Sequence, residues 1–135
     1  MEIQLSMVVL EVADLEASVR FYQRVGLDMP DPLEGRPVVA HRMGSGVTLL
    51  ITTAFASRYD PTWERPTGGG YSQMLEFYVG EDAVVDSTYA DLVGAGYRGR
   101  MEPTKTFGPY AAIVDDPDGN AVLLTSDEAA SPERP

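Results

Sequence analysis

The pattern of apolar and polar residues changes its period several times along the first half of the chain. An apolar stretch that begins at Ile3 has strand character, and from Asp14 onward the apolar residues recur at helical spacing. Asp14 is a suitable N-cap for this helix, and Gly26 is a suitable C-terminal stop. The pattern therefore predicts a strand, a helix, a proline-containing extended segment and two strands, at residues 3–12, 14–26, 27–34, 37–43 and 47–53.

The second half of the chain repeats this order. It predicts a strand, a helix, an extended segment and two strands, at residues 71–79, 82–93, 97–106, 110–114 and 120–125. Asp116-Pro117-Asp118-Gly119 is typical of a turn, because aspartate, proline and glycine each suit turn positions. The chain thus contains an internal repeat, in which Met7-Val8-Val9-Leu10-Glu11-Val12 aligns with Met74-Leu75-Glu76-Phe77-Tyr78-Val79.

This repeat predicts the domain organisation. We expect a single domain over residues 1–128, with pseudo-repeats at about 1–60 and 68–128. A polar tail over 129–135 should fray.

The two aligned strands each predict one face that packs on a helix and one that does not. Side chains alternate between the faces of a strand, so residues 7, 9 and 11 share a face, as do residues 74, 76 and 78. We expect the opposite face to pack on the helices; it carries Val8, Leu10, Val12, Leu75, Phe77 and Val79.

A long segment over residues 54–70 separates the repeats and is predicted to be a loop. It holds Phe55, Tyr59 and Trp63 and ends in three glycines, which make a candidate hinge. A loop of this length in a small domain is usually functional or a linker. Its aromatic side chains either close over a cavity and stack on a flat ligand, or become buried in a dimer interface.

The chain has no cysteine and one histidine, His41. Disulfides, thiolate metal sites and cysteine nucleophiles are therefore excluded, as is any site that needs two histidines from one chain. His41 can be a surface or interface residue, a general base, or one ligand of a metal ion that bridges two chains.

The formal net charge of −11 disfavours nucleic acid and anionic membrane surfaces as partners. This acidity either keeps the protein soluble or attracts a cationic ligand. No apolar run approaches the roughly 20 residues that span a bilayer, and no signal region opens the chain, so we expect a soluble cytoplasmic protein. Four arginines could bind an anionic group, but without a glycine-rich loop we expect them to be solvated: Arg36, Arg42, Arg98 and Arg100.

Three segments resemble the vicinal oxygen chelate superfamily, which includes glyoxalase I, bleomycin resistance proteins and extradiol dioxygenases. They are Val12-Ala13-Asp14-Leu15-Glu16-Ala17-Ser18-Val19-Arg20-Phe21-Tyr22 with Gly26-Leu27, Phe77-Tyr78-Val79 with the helix that ends at Gly96, and Asp116-Pro117-Asp118-Gly119-Asn120. The resemblance implies a mixed α+β fold of two βαβββ modules, whose curved sheets enclose a cavity. It also implies a homodimer.

The resemblance further implies four metal-ligand positions, and these have lost their donors. Histidines of metal-using members correspond to Met7 and Met74, a glutamate corresponds to Leu123, and the fourth position is Leu50. Thioethers and leucines do not supply the imidazole or carboxylate donors that divalent ions need. We therefore expect no metal and no cofactor. The expected ligand-binding residues are Met7, Val9, Glu11, Leu50, Trp63, Met74, Glu76, Tyr78, Phe107, Tyr110 and Leu123.

These positions support three hypotheses about function. The first is a non-catalytic protein that binds and sequesters a bulky aromatic or amphipathic small molecule, as antibiotic-resistance members of the superfamily do. The second is a metal-independent isomerase, epimerase or cyclase that uses Glu11, Glu76, Tyr78 or His41 as acid or base. The third is a metal-dependent glyoxalase or dioxygenase.

Overall fold

The computed structural model describes residues 2–67 and 70–126, which form two compact units, Met1–Gly68 and Gly69–Pro135. Two of the three hinge glycines, Gly68 and Gly69, and the tail over 129–135 lie outside the described residues. In the described part of the chain, no helix has the length and apolar character needed to cross a membrane.

The first unit contains a three-stranded sheet and two helices. In chain order its elements are β1 (Met7–Glu11), α1 (Leu15–Val25), β2 (Val38–Arg42), β3 (Thr48–Thr52) and α2 (Ala56–Tyr59). The strand order is β1-β3-β2, with β1 parallel and β2 antiparallel to β3. The first strand is shorter than the predicted stretch, because residues 2–6 are not part of β1.

Helix α1 begins and ends as the sequence predicts. The Asp14 carboxylate accepts a hydrogen bond from the Ala17 amide at 3.1 Å, and Gly26 follows the helix with a φ of +124°, which L side chains rarely adopt. The apolar side of the helix packs over the core of this unit. The buried residues there are Ser18, Val19, Phe21, Tyr22 and Val25 from the helix and Leu10, Val12, Leu49 and Ile51 from the segments around it.

The proline-containing segment after α1 was predicted to be extended, and it forms no strand. Pro30, Pro32 and Pro37 have no amide hydrogen to give to a neighbouring strand. Side-chain bonds hold the segment instead, since the Gln23 amide nitrogen lies 2.9 Å from both the Met29 carbonyl oxygen and an Asp31 carboxylate oxygen. The sheet of this unit therefore has one strand fewer than that of the second.

The second unit contains a four-stranded sheet and one helix. Its elements are β4 (Met74–Tyr78), α3 (Asp82–Gly94), β5 (Gly99–Lys105), β6 (Tyr110–Asp115) and β7 (Ala121–Thr125). The strand order is β4-β7-β6-β5, and only the β4–β7 pair is parallel. The predicted turn precedes β7, where the Asp116 carboxylate accepts hydrogen bonds from the amides of Asp118 and Asn120, both at 2.9 Å.

Helix α3 packs against β5, β6 and β7 through Val85 and Leu92, which are both fully buried. Val93 is exposed. It follows Leu92 directly and so points about 100° away from it around the helix axis.

The parallel strand pairs of the two units, β1–β3 and β4–β7, have equivalent registers. Met7 is the partner of Thr48 and Val9 that of Leu50, while Met74 is the partner of Ala121 and Glu76 that of Leu123. The internal repeat aligns these residues in the same way. The mixed α+β fold, with sheets of three and four strands that are consistent with two βαβββ modules, is therefore confirmed.

Candidate functional site

Each sheet has a helix face and a second face, which we call the far face. Register partners share a face, so the far face of the first sheet contains Met7, Val9 and Glu11 with Thr48, Leu50 and Thr52. The far face of the second sheet contains Met74, Glu76 and Tyr78 with Ala121, Leu123 and Thr125. Eight of the eleven predicted ligand-binding residues thus lie on the far faces, four in each unit.

The strands β1 and β4 expose large apolar side chains on these faces. Met7 is 42% exposed, Met74 39% and Tyr78 55%, and the Glu76 carboxylate beside them is exposed as well. Leu50 is buried, and Val9 and Leu123 are half-buried. Exposed apolar groups next to a few polar ones are typical of a surface that binds an organic molecule.

The residues at the metal positions that the resemblance implies do not fit a metal ion. Met7 lies diagonally across from Leu50 on the neighbouring strand, and Met74 lies in the same way across from Leu123. A thioether and an alkyl group offer no oxygen or nitrogen donor for zinc, nickel, iron or manganese. Within residues 2–67 and 70–126, no three His, Asp or Glu side chains are placed to hold a metal ion.

Glu11 binds the backbone of its own unit. Its Oε1 atom accepts hydrogen bonds from the amides of Phe55 at 3.0 Å and Ala56 at 2.6 Å, at the start of the four-residue helix α2. This helix lies inside the segment that was predicted to be a loop. The carboxylate that stabilises it is 44 positions away in the sequence, so local pattern could not reveal it.

The aromatic residues of this segment contact their sequence neighbours. The rings of Phe55 and Tyr59 stack with centroids 4.6 Å apart, and Tyr59 is exposed. Trp63 is half-buried, with the Arg65 guanidinium 5.4 Å from its ring. These contacts order the segment locally, and a ligand-stacking role for Trp63 stays a prediction.

Tyr110 and Phe107 lie apart from the far-face residues. Ala111 is the register partner of Thr125 and lies on the far face, so the preceding residue, Tyr110, has its side chain on the helix face. There the Tyr110 hydroxyl donates a hydrogen bond to the Asp86 carboxylate at 2.6 Å. This bond is the main reason that the pKa of Tyr110 is raised above its ordinary value. Phe107 is fully exposed in the turn between β5 and β6.

His41 also lies on a helix face. It is half-buried on β2, and its register partner Leu49 is part of the core beneath α1. This position gives no support to His41 as a base for a ligand on the far face.

The sequence did not single out a cluster of charged and aromatic residues on the second far face. Asp115 is the register partner of Ala121, and the Nε atom of Arg100 donates a hydrogen bond to its carboxylate. Arg98 lies 3.8 Å from the other carboxylate oxygen, and the Arg100 guanidinium lies 5.1 Å from the ring centroid of Tyr71. Arg100 was expected to be solvated, but its side chain is only 21% exposed. A bulge between Gly99 and Met101 shifts the register at this point of β5.

Comparison with known proteins places the chain in a family. The model of the glyoxalase/bleomycin resistance protein/dioxygenase superfamily matches residues 4–124. The chain therefore belongs to this superfamily. None of the curated proteins matches its sequence.

Solved structures of the same fold cover most of the chain. A glyoxalase/bleomycin resistance protein/dioxygenase family enzyme from Burkholderia phytofirmans PsJN is 22% identical, with a TM-score of 0.75 over 90% of this chain and 97% of its own. Lactoylglutathione lyase from Agrobacterium tumefaciens is 28% identical, with a TM-score of 0.60 over 87% and 89%. TnmS3, an antibiotic binding protein from Streptomyces sp. CB03234, is 23% identical, with a TM-score of 0.61 over 92% and 95%.

Proposed function

We propose that this protein binds and sequesters a bulky aromatic or amphipathic small molecule, an antibiotic in a self-resistance role, without changing it chemically. The observation that carries the proposal is the exposed apolar surface of Met7 and Met74, which lie at equivalent register positions where the resemblance implies metal-ligating histidines. Methionine side chains adapt their shape and contact aromatic rings favourably.

Further support comes from what surrounds these methionines. Tyr78 and Tyr71 are exposed in the second unit together with Met74, which gives a ligand ring flat partners. The antibiotic-binding neighbour TnmS3 has the same fold, which makes the function compatible with this scaffold. Enzymes share the fold too, so the fold alone does not decide between binding and catalysis.

Titration with aromatic antibiotics, followed by recovery of the compound, tests the proposal. The single tryptophan, Trp63, supplies the fluorescence signal, and calorimetry supplies a second one. Met74→Glu should weaken binding by about tenfold or more, because a charge replaces an apolar contact. Met43→Ala changes a methionine outside the two far faces and should leave affinity unchanged. Chemically altered compound after incubation would contradict pure sequestration.

The metal-independent enzyme is a second candidate that one observation favours. The Glu76 carboxylate is exposed on the far face, and the Thr125 hydroxyl lies 3.3 Å from its Oε2 atom. Glu76→Gln separates the two functions. An enzyme that uses this carboxylate as acid or base should lose turnover by about 100-fold or more, whereas a binding protein should show only a change of affinity.

We also propose that the protein is a homodimer. Support comes from Ile3 and Leu5, which are both well exposed and precede β1, an edge strand of its sheet. Light scattering coupled to size-exclusion chromatography should give twice the chain mass. The double change Ile3→Glu and Leu5→Glu should give a folded monomer, and a monomeric wild type would refute the proposal.

A further inference from the structure

The second far face carries a positive group in a chain whose formal net charge is −11. Arg98 and Arg100 both approach the single carboxylate of Asp115, which leaves one positive charge in excess within this cluster. The Asp115 side chain is only 9% exposed, so a cationic group of a ligand cannot readily reach its carboxylate. Locally, therefore, the surface favours an anion although the whole protein does not.

Arg100 makes two contacts, and neither uses its two outer nitrogens, Nη1 and Nη2, as hydrogen-bond donors. Its Nε atom is bonded to Asp115, and its guanidinium plane is near the ring of Tyr71. Within residues 2–67 and 70–126 the guanidinium has no further hydrogen-bond partner. A guanidinium fixed in this way can donate its two remaining NH₂ groups to one carboxylate, in the bidentate geometry that arginine favours.

Glu76 is an exposed acidic group on this face, and it makes no ion pair with Arg100 within residues 2–67 and 70–126. Glu76 lies one row further along the sheet, level with Leu123, and its carboxylate is bonded to Thr125, two residues beyond Leu123. Asp115 belongs to the neighbouring row of register partners, together with Ala121 and Met74. Thr125 lies on the other side of the row that contains Glu76. Ala121 lies between Met74 and Asp115 in their row, and its small side chain fills little of the space between them.

We infer that Arg100 is the specificity-determining residue of the ligand-binding surface and that the ligand is a flat aromatic molecule with a carboxylate or equivalent oxyanion. This inference rests on the proposed binding function and deepens it. The oxyanion binds the outer nitrogens of Arg100, and the aromatic part lies over Tyr71 and Met74. The net charge of −11 favours a cationic ligand, but the two arginines beside Asp115 favour an anionic one at this place.

A matched pair of probes, 2-naphthoate and 2-naphthamide, tests the inference on the wild-type protein. They share size and aromatic surface and differ in charge. Calorimetry should show the acid binding about tenfold or more tightly than the amide. In ¹⁵N-labelled protein, 2-naphthoate should shift the Arg100 Nε–Hε signal, and 2-naphthamide should not.

Variants supply the second arm of the test. Arg100→Lys keeps the charge beside Asp115 but loses the bidentate donor, so it should lower the affinity for 2-naphthoate by about tenfold and leave that for 2-naphthamide unchanged. Arg98→Gln is the control, because Arg98 is largely exposed, and it should change either affinity by less than about threefold.

Three outcomes separate this inference from the proposed function. Selective binding of the acid that depends on Arg100 supports both. Equal binding of acid and amide overturns the role of Arg100 and leaves the aromatic site standing. No binding of either probe at millimolar concentration overturns the aromatic site as well, and with it this inference.

Discussion

The Glu11 carboxylate and the Ala56 amide are joined by a 2.6 Å hydrogen bond, which ties the edge strand β1 to the first residue of α2. The same oxygen atom also accepts a hydrogen bond from the Phe55 amide. Glu11 thus satisfies two of the amides that a helix leaves without an internal partner at its start.

Replacing Glu11 with alanine should lower the free energy of unfolding by about 1–3 kcal/mol, because two backbone amides lose a charged acceptor. Glu11→Gln should cost less, since the amide oxygen still accepts hydrogen bonds. Urea denaturation measures both. Glu81→Ala is the control, because Glu81 precedes α3 without making a side-chain capping bond. An equal loss in the Glu81 variant would show that the effect is not specific to α2.

Tyr89 and Gly99 lie so close that Gly99→Ala should destabilise the second unit. A Cβ atom on Gly99 would lie 2.8 Å from the Tyr89 Cζ atom, closer than real contacts allow. Because the contact is with the end of a half-buried side chain, which can move, we expect a cost of about 1 kcal/mol, at the low end for overpacking. Gly94→Ala, at a helical position with no neighbour within 4 Å, should be neutral or stabilising. Adding Tyr89→Leu to Gly99→Ala should recover part of the loss, and strict additivity would contradict the steric explanation.

The hydrogen bond from Tyr110 to Asp86 should make stability depend on pH in the alkaline range. It raises the pKa of Tyr110 above 10.0, with smaller contributions from desolvation and from the charges of Asp86 and Asp82. The folded state therefore keeps this proton where the unfolded state releases it. Its contribution is complete below about pH 10 and is lost as the pH rises through the folded-state pKa. The melting temperature of the wild type should fall more steeply than that of Tyr110→Phe, and parallel curves would count against this assignment.

Metal ions should leave the melting temperature unchanged. Zn²⁺ or Ni²⁺ at 100 times the dissociation constant of a real site would add about 2.7 kcal/mol, but Met7, Leu50, Met74 and Leu123 provide no suitable donors. Equal melting temperatures with EDTA and with excess metal are the expected result. Near-stoichiometric metal in protein purified without chelator would reverse the conclusion.

Local pattern was sufficient for much of the fold. The N-cap at Asp14, the stop at Gly26 and the turn at Asp116 depend on residues within a few positions of one another. The strict alternation along a strand likewise placed Met74, Glu76 and Tyr78 on one exposed face.

Long-range relationships account for what the sequence did not predict. Helix α2 depends on Glu11, and the side on which Tyr110 lies depends on how β6 pairs with β7. Arg100 reaches Asp115 because a bulge interrupts the alternation of β5. A single sequence gives no sign of such a bulge, so Arg100 could not be separated from the other arginines.

The two units share a strand register but differ in their side chains and in their number of strands. Val9 and Glu76 occupy equivalent positions, and the segment after α1 forms no strand that could correspond to β5 with its Arg100. A doubled scaffold suggests two equivalent binding events, but only the second unit has the charged cluster. We therefore predict a stoichiometry of one ligand molecule per chain, although the fold contains two modules of the same architecture.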